Sequence, residues 1–178
     1  MKRFIITLAV TVFLLTSAVS ANLWVIDVSD VPSMDLLDDP SNISMSTTNI
    51  APGMIITGIV WDLTVGTIGT SWRSEARSMW STGAGPFVYV TPGNGDDSPG
   101  TNSYSSGGII DLVAAGLGYI TNHSGTTSIQ FFEGYDDYPG SADAYYLSPG
   151  TYTLQYTLPE PTFILGACLL AGLLIRRK

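Results

Sequence analysis

Hydrophobic and polar residues alternate through much of the middle of the chain. From Met54 to Val65, Ile55, Ile59, Trp61, Leu63 and Val65 fall on one parity and Gly58, Asp62 and Thr64 on the other. Period two is the signature of a half-buried strand. After a turn around Gly66 and Gly69, SWRSEARSMW places Trp72, Ser74, Ala76, Ser78 and Trp80 on one face and Arg73, Glu75 and Arg77 on the other. A helix is the alternative, because Trp72, Ala76, Met79 and Trp80 also recur at three-to-four spacing. The charges separate more cleanly by parity, which favours a strand that pairs with its predecessor as a hairpin.

Further strands are predicted at Leu23 to Val28, Phe87 to Thr91, Ile109 to Val113, Ser128 to Glu133 and Thr151 to Leu158. In the last, Tyr152, Leu154, Tyr156 and Leu158 oppose Thr151, Thr153, Gln155 and Thr157. Two long loops, Thr91 to Gly108 and Glu133 to Gly150, are dense in Gly, Pro and Asp. A short helical turn is predicted at Ala114 to Tyr119. Many short strands and no strong helix indicate an all-β chain with a single β-sandwich, jelly-roll-like domain over residues 22–158.

The two ends break this pattern. Lys2 and Arg3 precede an apolar run from Phe4 to Leu15, followed by Ser17, Ala18, Val19, Ser20 and Ala21. This is the three-part layout of a secretory signal peptide over 1–21, with Val19 and Ala21 as the small residues of the signal peptidase site. The 12-residue run is short of the roughly 20 residues that a spanning helix needs. At the other end Pro159, Glu160 and Pro161 precede an apolar stretch from Thr162 to Ile175 and the cluster Arg176, Arg177 and Lys178. The prolines keep the tripeptide out of helix and sheet, so a processing enzyme could bind it extended. The stretch is 14 residues long, about 21 Å as a helix, and the basic end orients it in a membrane as a transmembrane segment too short for a lasting anchor.

The sequence PEPTFILGACLLAGLLIRRK resembles the PEP-CTERM sorting tail of Gram-negative bacteria, in order, spacing and terminal position. The resemblance covers residues 159–178 and implies an exosortase substrate. Such a precursor is threaded out, held transiently in the inner membrane by its tail, cut near Pro159 to Pro161, and released or attached to surface material. More loosely, WDLTVGTIGTSWRSEA and IQFFEGYDDYPGSADAYYLSPGTYTLQY resemble the β-sandwich domains that often precede such tails.

Charge narrows the partners. Residues 22–161 hold all fifteen carboxylates but only Arg73 and Arg77 as bases, so two minus fifteen gives −13, against −8 for the whole chain. Such an acidic protein repels nucleic acid and anionic lipid. The one cysteine, Cys168, lies in the tail, so the domain has no disulfide, thiol nucleophile or thiolate metal site.

Catalytic signals are sparse. The single histidine, His123, sits in the loop sequence TNHSGTT, and no G-x-S-x-G elbow is present. Asp96-Asp97 and Asp136-Asp137 are candidate carboxylate pairs for a glycosidase, but in Gly/Pro loops such aspartates are ordinarily solvated turn residues. No catalytic residue is assigned. Glu133, Asp136, Asp137 and Asp143 offer clustered hard oxygens for Ca2+, the one cofactor the composition suggests. Tyr135, Tyr138, Tyr145 and Tyr146 are candidates for stacking on sugar rings. The expectation is an exported, non-enzymatic structural protein of the cell surface or extracellular matrix. Signal peptidase and exosortase are its partners during export, and exopolysaccharide its surroundings. A glycan-binding module and a small secreted carbohydrate-active enzyme are the alternatives.

Overall fold

The computed structural model describes residues 21–83 and 87–158. Among these every regular element is a strand, and the strands form two antiparallel sheets packed as a sandwich. In the first sheet the order is β1 (Asn22–Asp27), β11 (Ala144–Thr157), β4 (Ile55–Thr67) and β7 (Thr101–Ser105). Strand β2 (Val31–Ser33) also pairs with β11, and β8 (Ile110–Asp111) and β9 (Ile120–Thr121) extend the pairing of β4. The second sheet runs β3 (Ser44–Thr47), β10 (Thr127–Glu133), β5 (Ala76–Ser81) and β6 (Val88–Val90).

The core lies between the sheets. Ile26, Ile59, Leu63, Val65, Tyr152 and Leu154 come from the first, and Ala76, Trp80, Val88, Val90, Ile129 and Phe131 from the second. Each aliphatic or phenyl group so buried stabilises the fold by about 1.5–3 kcal/mol. Trp80 meets Tyr152 edge to face with ring centroids 5.2 Å apart, and the Tyr152 hydroxyl accepts from Ser78 Oγ at 3.1 Å, tying the two sheets together.

The alternation around Trp61 survives, with a correction at its start. Ile59, Leu63 and Val65 are buried and Trp61 half-buried, but it is Ile56 that enters the core and not Ile55. Gly58 pairs with Gln155 and Ile56 with Tyr156, so Thr57 is an extra residue on β4. This bulge flips the parity of everything before it, and its carbonyl accepts the Leu112 N–H at 2.9 Å.

The predicted hairpin between the two Trp-rich segments is not formed. Strand β5 begins only at Ala76 and lies in the other sheet, between β10 and β6. Residues 68–75 carry the chain across, held by turn bonds from Ser71 N–H to Ile68 O and from Glu75 N–H to Trp72 O. Ala76, Ser78 and Trp80 do share the buried face, while Trp72, outside the strand, is exposed. Period two reports which side of a strand is buried, not which sheet the strand joins.

Both long loops are shorter than predicted. The first contains β7, whose sequence TNSYS carries no apolar alternation. In the second, β11 already begins at Ala144 and continues to Thr157, with a register shift on β4 between Leu147 and Thr151. The strand expected over Ile109 to Val113 reduces to Ile110–Asp111. The helical turn expected at Ala114 to Tyr119 sits earlier, over Leu112–Gly116. Asp111 Oδ1 sets it by accepting the Val113 and Ala114 N–H groups at 2.9 Å each. Residues Val19, Pro159, Glu160, Pro161, Arg176, Arg177 and Lys178 and the apolar run of the tail lie outside the described residues. Ala21 is the first described residue and is exposed directly before β1.

Candidate functional site

Of the carboxylates singled out in the sequence, Glu133, Asp136, Asp137 and Asp143 come close together. Strand β10 places Thr127, Ile129, Phe131 and Glu133 on its buried face, so the alternation that builds the core also drives Glu133 inward. Glu133 is 1% exposed, and neither carboxylate oxygen has a hydrogen-bond partner. Burial pushes this carboxyl up to about 8; the charges of Asp143 and Glu75 add to the effect, and the Ser33 hydroxyl and Arg77 oppose it. A buried carboxyl without donors favours its neutral form.

Asp143 is fully buried on the approach to β11. Its Oδ2 accepts the Asp137 N–H at 2.7 Å, its Oδ1 has no partner, and burial again raises its proton affinity. Asp136 is raised by burial and by the nearby Asp35. Asp35 moves the opposite way, because Ser41 Oγ donates to its Oδ2 and the Gly140 N–H to its Oδ1 at 3.2 Å. Glu75 accepts the Trp72 N–H at 2.7 Å and is raised by burial. The Arg77 guanidinium packs over Gly134, so a side chain there would have to push the guanidinium aside.

Two of these groups, Asp35 and Glu75, were not anticipated from sequence. They reach the cluster from remote segments, through the Glu133 N–H to Asp35 O bond at 2.8 Å and the Gly134 N–H to Glu75 O bond at 2.7 Å. No spacing rule along the chain signals such contacts. Among the described residues, no three His, Cys, Asp or Glu side chains are arranged to hold a metal ion. Glu133, Asp136, Asp137 and Asp143 therefore share a neighbourhood without forming the ready ligand set expected for Ca2+.

The tyrosines divide. Tyr135 is 63% exposed and Tyr138 38%, beside the acidic cluster, and Tyr145 is half-buried on β11. Tyr146 is a correction to the sugar-stacking set. It is wholly buried, edge to face with Phe131 at 5.0 Å, because β11 starts early enough to turn it into the core. His123 is exposed in its turn.

The other carboxylate pair has a structural task. Arg73 donates from Nε and Nη2 to the two oxygens of Asp96 at 2.9 and 2.7 Å, and Tyr104 Oη and Asn102 also donate to Asp96. These donors hold the Asp96 carboxyl far below the usual range. Ser74 Oγ donates to Asp97, and the Arg73 and Ser74 N–H groups reach Ser98 O and Asp96 O. The loop after Thr91 is thereby latched to the crossing at 68–75.

A groove of about 430 Å³ opens elsewhere on the sandwich, lined by Trp61, Tyr89, Asn94, Ile110 and Leu117 among others, with no charged side chain. Tyr89 packs edge to face with Phe87 at 5.1 Å and with Phe132 at 5.9 Å, forming an aromatic row beside it.

No protein-family model and no curated protein matches the chain. Among solved structures, the VP2 subviral particle of infectious bursal disease virus overlaps 80% of this chain and 34% of its own, at 11% identity and a TM-score of 0.38. A structure of the Gx strain of the same virus overlaps 89% and 48%, at 12% identity and a TM-score of 0.30. The chain thus spans from a third to a half of those proteins, and superpositions this loose carry no argument. The class that the sheets themselves define is a two-sheet antiparallel β-sandwich with a buried acidic end.

Proposed function

We propose that this chain is an exported, non-enzymatic structural protein of the cell surface or extracellular matrix, handled by signal peptidase and exosortase. Exopolysaccharide is its surroundings, and its tail holds it in the inner membrane only in transit. The observation that carries this reading is the ending Pro159-Glu160-Pro161, apolar run, basic triplet. The position of the last strand supports it. Strand β11 ends at Thr157, two residues before Pro159, and lies between β1 and β4. A cut at Pro159 to Pro161 therefore spares every ladder. Asn22 pairs with Tyr156, so both processing junctions leave from one end of the same sheet.

The finer fold reading is a jelly roll. Taking β1 and β2 as one interrupted strand, and β7, β8 and β9 as another, the chain forms a ribbon of nested pairs: β1 and β2 with β11, β3 with β10, β4 with β7, β8 and β9, β5 with β6. Rolling that ribbon brings β11 beside β4 and β10 beside β5, the remaining contacts of the two sheets.

Mass spectrometry of the mature C-terminus, in cells with and without exosortase, tests the processing. A terminus within 159–161 only when exosortase is present is the expected result; a chain ending at Lys178 in both refutes it. A glycan-binding module is the second reading, favoured by the uncharged groove at Trp61 and Tyr89 and by the exposed Tyr135 and Tyr138. Saturable binding of a polysaccharide that Tyr89→Ala removes is its expected signature.

A further inference from the structure

Of the asparagines in the chain, Asn22, Asn42, Asn49, Asn94, Asn102 and Asn122, only Asn94 is followed by glycine. The fold sets it further apart. Asn42 and Asn122 are buried, each with its side-chain amide both donating and accepting. Asn102 donates to Asp96 and accepts from the Ser103 N–H. Asn94 and Gly95 are exposed, and among the described residues neither the Asn94 side-chain amide nor the Gly95 N–H has a hydrogen-bond partner. The two are the central residues of a turn closed by the Asp96 N–H on Gly93 O at 2.8 Å. Gly95 stands there at a φ of +81°, with nothing within 4 Å of the place a Cβ would take.

We propose that Asn94-Gly95 is a self-modification site, at which the folded chain converts the Asn94 amide to a carboxylate with water as the only co-reactant. The Gly95 nitrogen gives its proton to water and bonds to Asn94 Cγ. The Cγ–Nδ2 bond breaks, and Nδ2 takes up a proton and leaves as ammonia. One water then opens the cyclic imide so formed. Opening at Cγ leaves an ordinary aspartyl link, whereas opening at the main-chain carbonyl leaves a β-link that adds a methylene to the backbone. The nucleophile is tethered beside its target, so the reaction needs only a rotation that brings nitrogen to Cγ. A residue without a Cβ, in open space, makes that rotation freely. At each of the other asparagines the side chain of the next residue stands in the way.

Two parts of the structure register the change. Asn94 lines the groove at Trp61 and Tyr89, where no charged side chain stands, so either product brings a carboxylate to it. The β-link lengthens the backbone just ahead of Asp96, whose oxygens Arg73 holds at 2.9 and 2.7 Å. The added methylene therefore works against the latch. The chemistry depends on the turn alone and stands apart from the processing of the tail.

The test ages the folded protein, as recovered from cells, at mildly alkaline pH and maps its peptides by mass spectrometry. The peptide holding Asn94 should gain about 1 Da and split into two chromatographically distinct isomers, about tenfold or more faster than the peptide holding Asn102 reacts. Gly95→Ala should slow the gain by about tenfold or more while the circular dichroism of the sheets is kept. Aged protein should be cut in the 91–100 loop faster than fresh protein, and Asn94→Asp, which carries the charge on an unlengthened backbone, should not. An Asn94 that stays an amide in the folded protein, reacts no faster than Asn102, or reacts at a rate indifferent to Gly95→Ala would overturn the proposal. Equal cleavage of aged and fresh protein would overturn its effect on the latch.

Discussion

The buried Glu133 makes a quantitative statement about stability and pH. In the folded chain its proton is held to about 8, against an ordinary 4.5, a span of roughly 3.5 pH units. At 1.36 kcal/mol per unit this is at most about 5 kcal/mol, comparable to the whole stability of many domains. The sign follows from linkage. Between 4.5 and 8 the folded state holds a proton that the unfolded state has released, so stability is full below 4.5, falls as pH rises, and levels off above 8. Asp143 and Glu75, also raised, slope the same way. Asp35 and Asp96, both lowered, act oppositely and lose their contribution only as pH falls below the ordinary aspartate range. The stability maximum is therefore expected near pH 4–5, well on the acid side of neutrality. Urea unfolding at pH 5, 6, 7, 8 and 9, followed by tryptophan fluorescence, measures it. Glu133→Gln keeps the shape and removes the titration, so its curve should be flatter and cross above the wild type near neutral pH. A wild-type stability that is level or rising from pH 5 to 8, or a Glu133→Gln slope equal to the wild type's, would show that the pocket does not hold the proton.

Other expectations concern the latch, the core and the crossing. Asp96→Asn or Arg73→Ala should open the 91–100 loop to limited proteolysis while the far-ultraviolet circular dichroism of the sheets is kept; equal cleavage rates would refute the latch. Trp80→Ala empties the contact with Tyr152 at the centre of the sandwich and should cost about 3–5 kcal/mol in denaturant unfolding. Gly93→Ala forces a Cβ to within 2.7 Å of the Arg73 carbonyl oxygen, a backbone atom that cannot swing aside. It should destabilise by about 1–3 kcal/mol, whereas Gly95→Ala, with open space around it but a φ of +81°, pays only for backbone strain.

Local chemistry in the chain was enough to mark what depends on neighbours in sequence. The alternation of Ala76, Ser78 and Trp80 foretold the buried face of β5, and Tyr152 and Leu154 that of β11. The sorting reading of the two ends also rests on composition and order alone, an apolar run, a proline-bounded tripeptide and a basic end, and concerns segments outside the described residues. Tertiary structure decided the rest. The bulge at Thr57 reversed the parity of Ile55 and Ile56, and a register shift is a property of two strands together. Sheet membership sent β5 away from β4, and the polar strand β7 became a strand only because β4 offered it an edge. The acidic end has the same origin. Asp35, Glu75, Glu133 and Asp143 are strangers in sequence; burial raises the proton affinity of the last three and the Ser41 and Gly140 donors lower that of Asp35, and both causes exist only once the chain has folded.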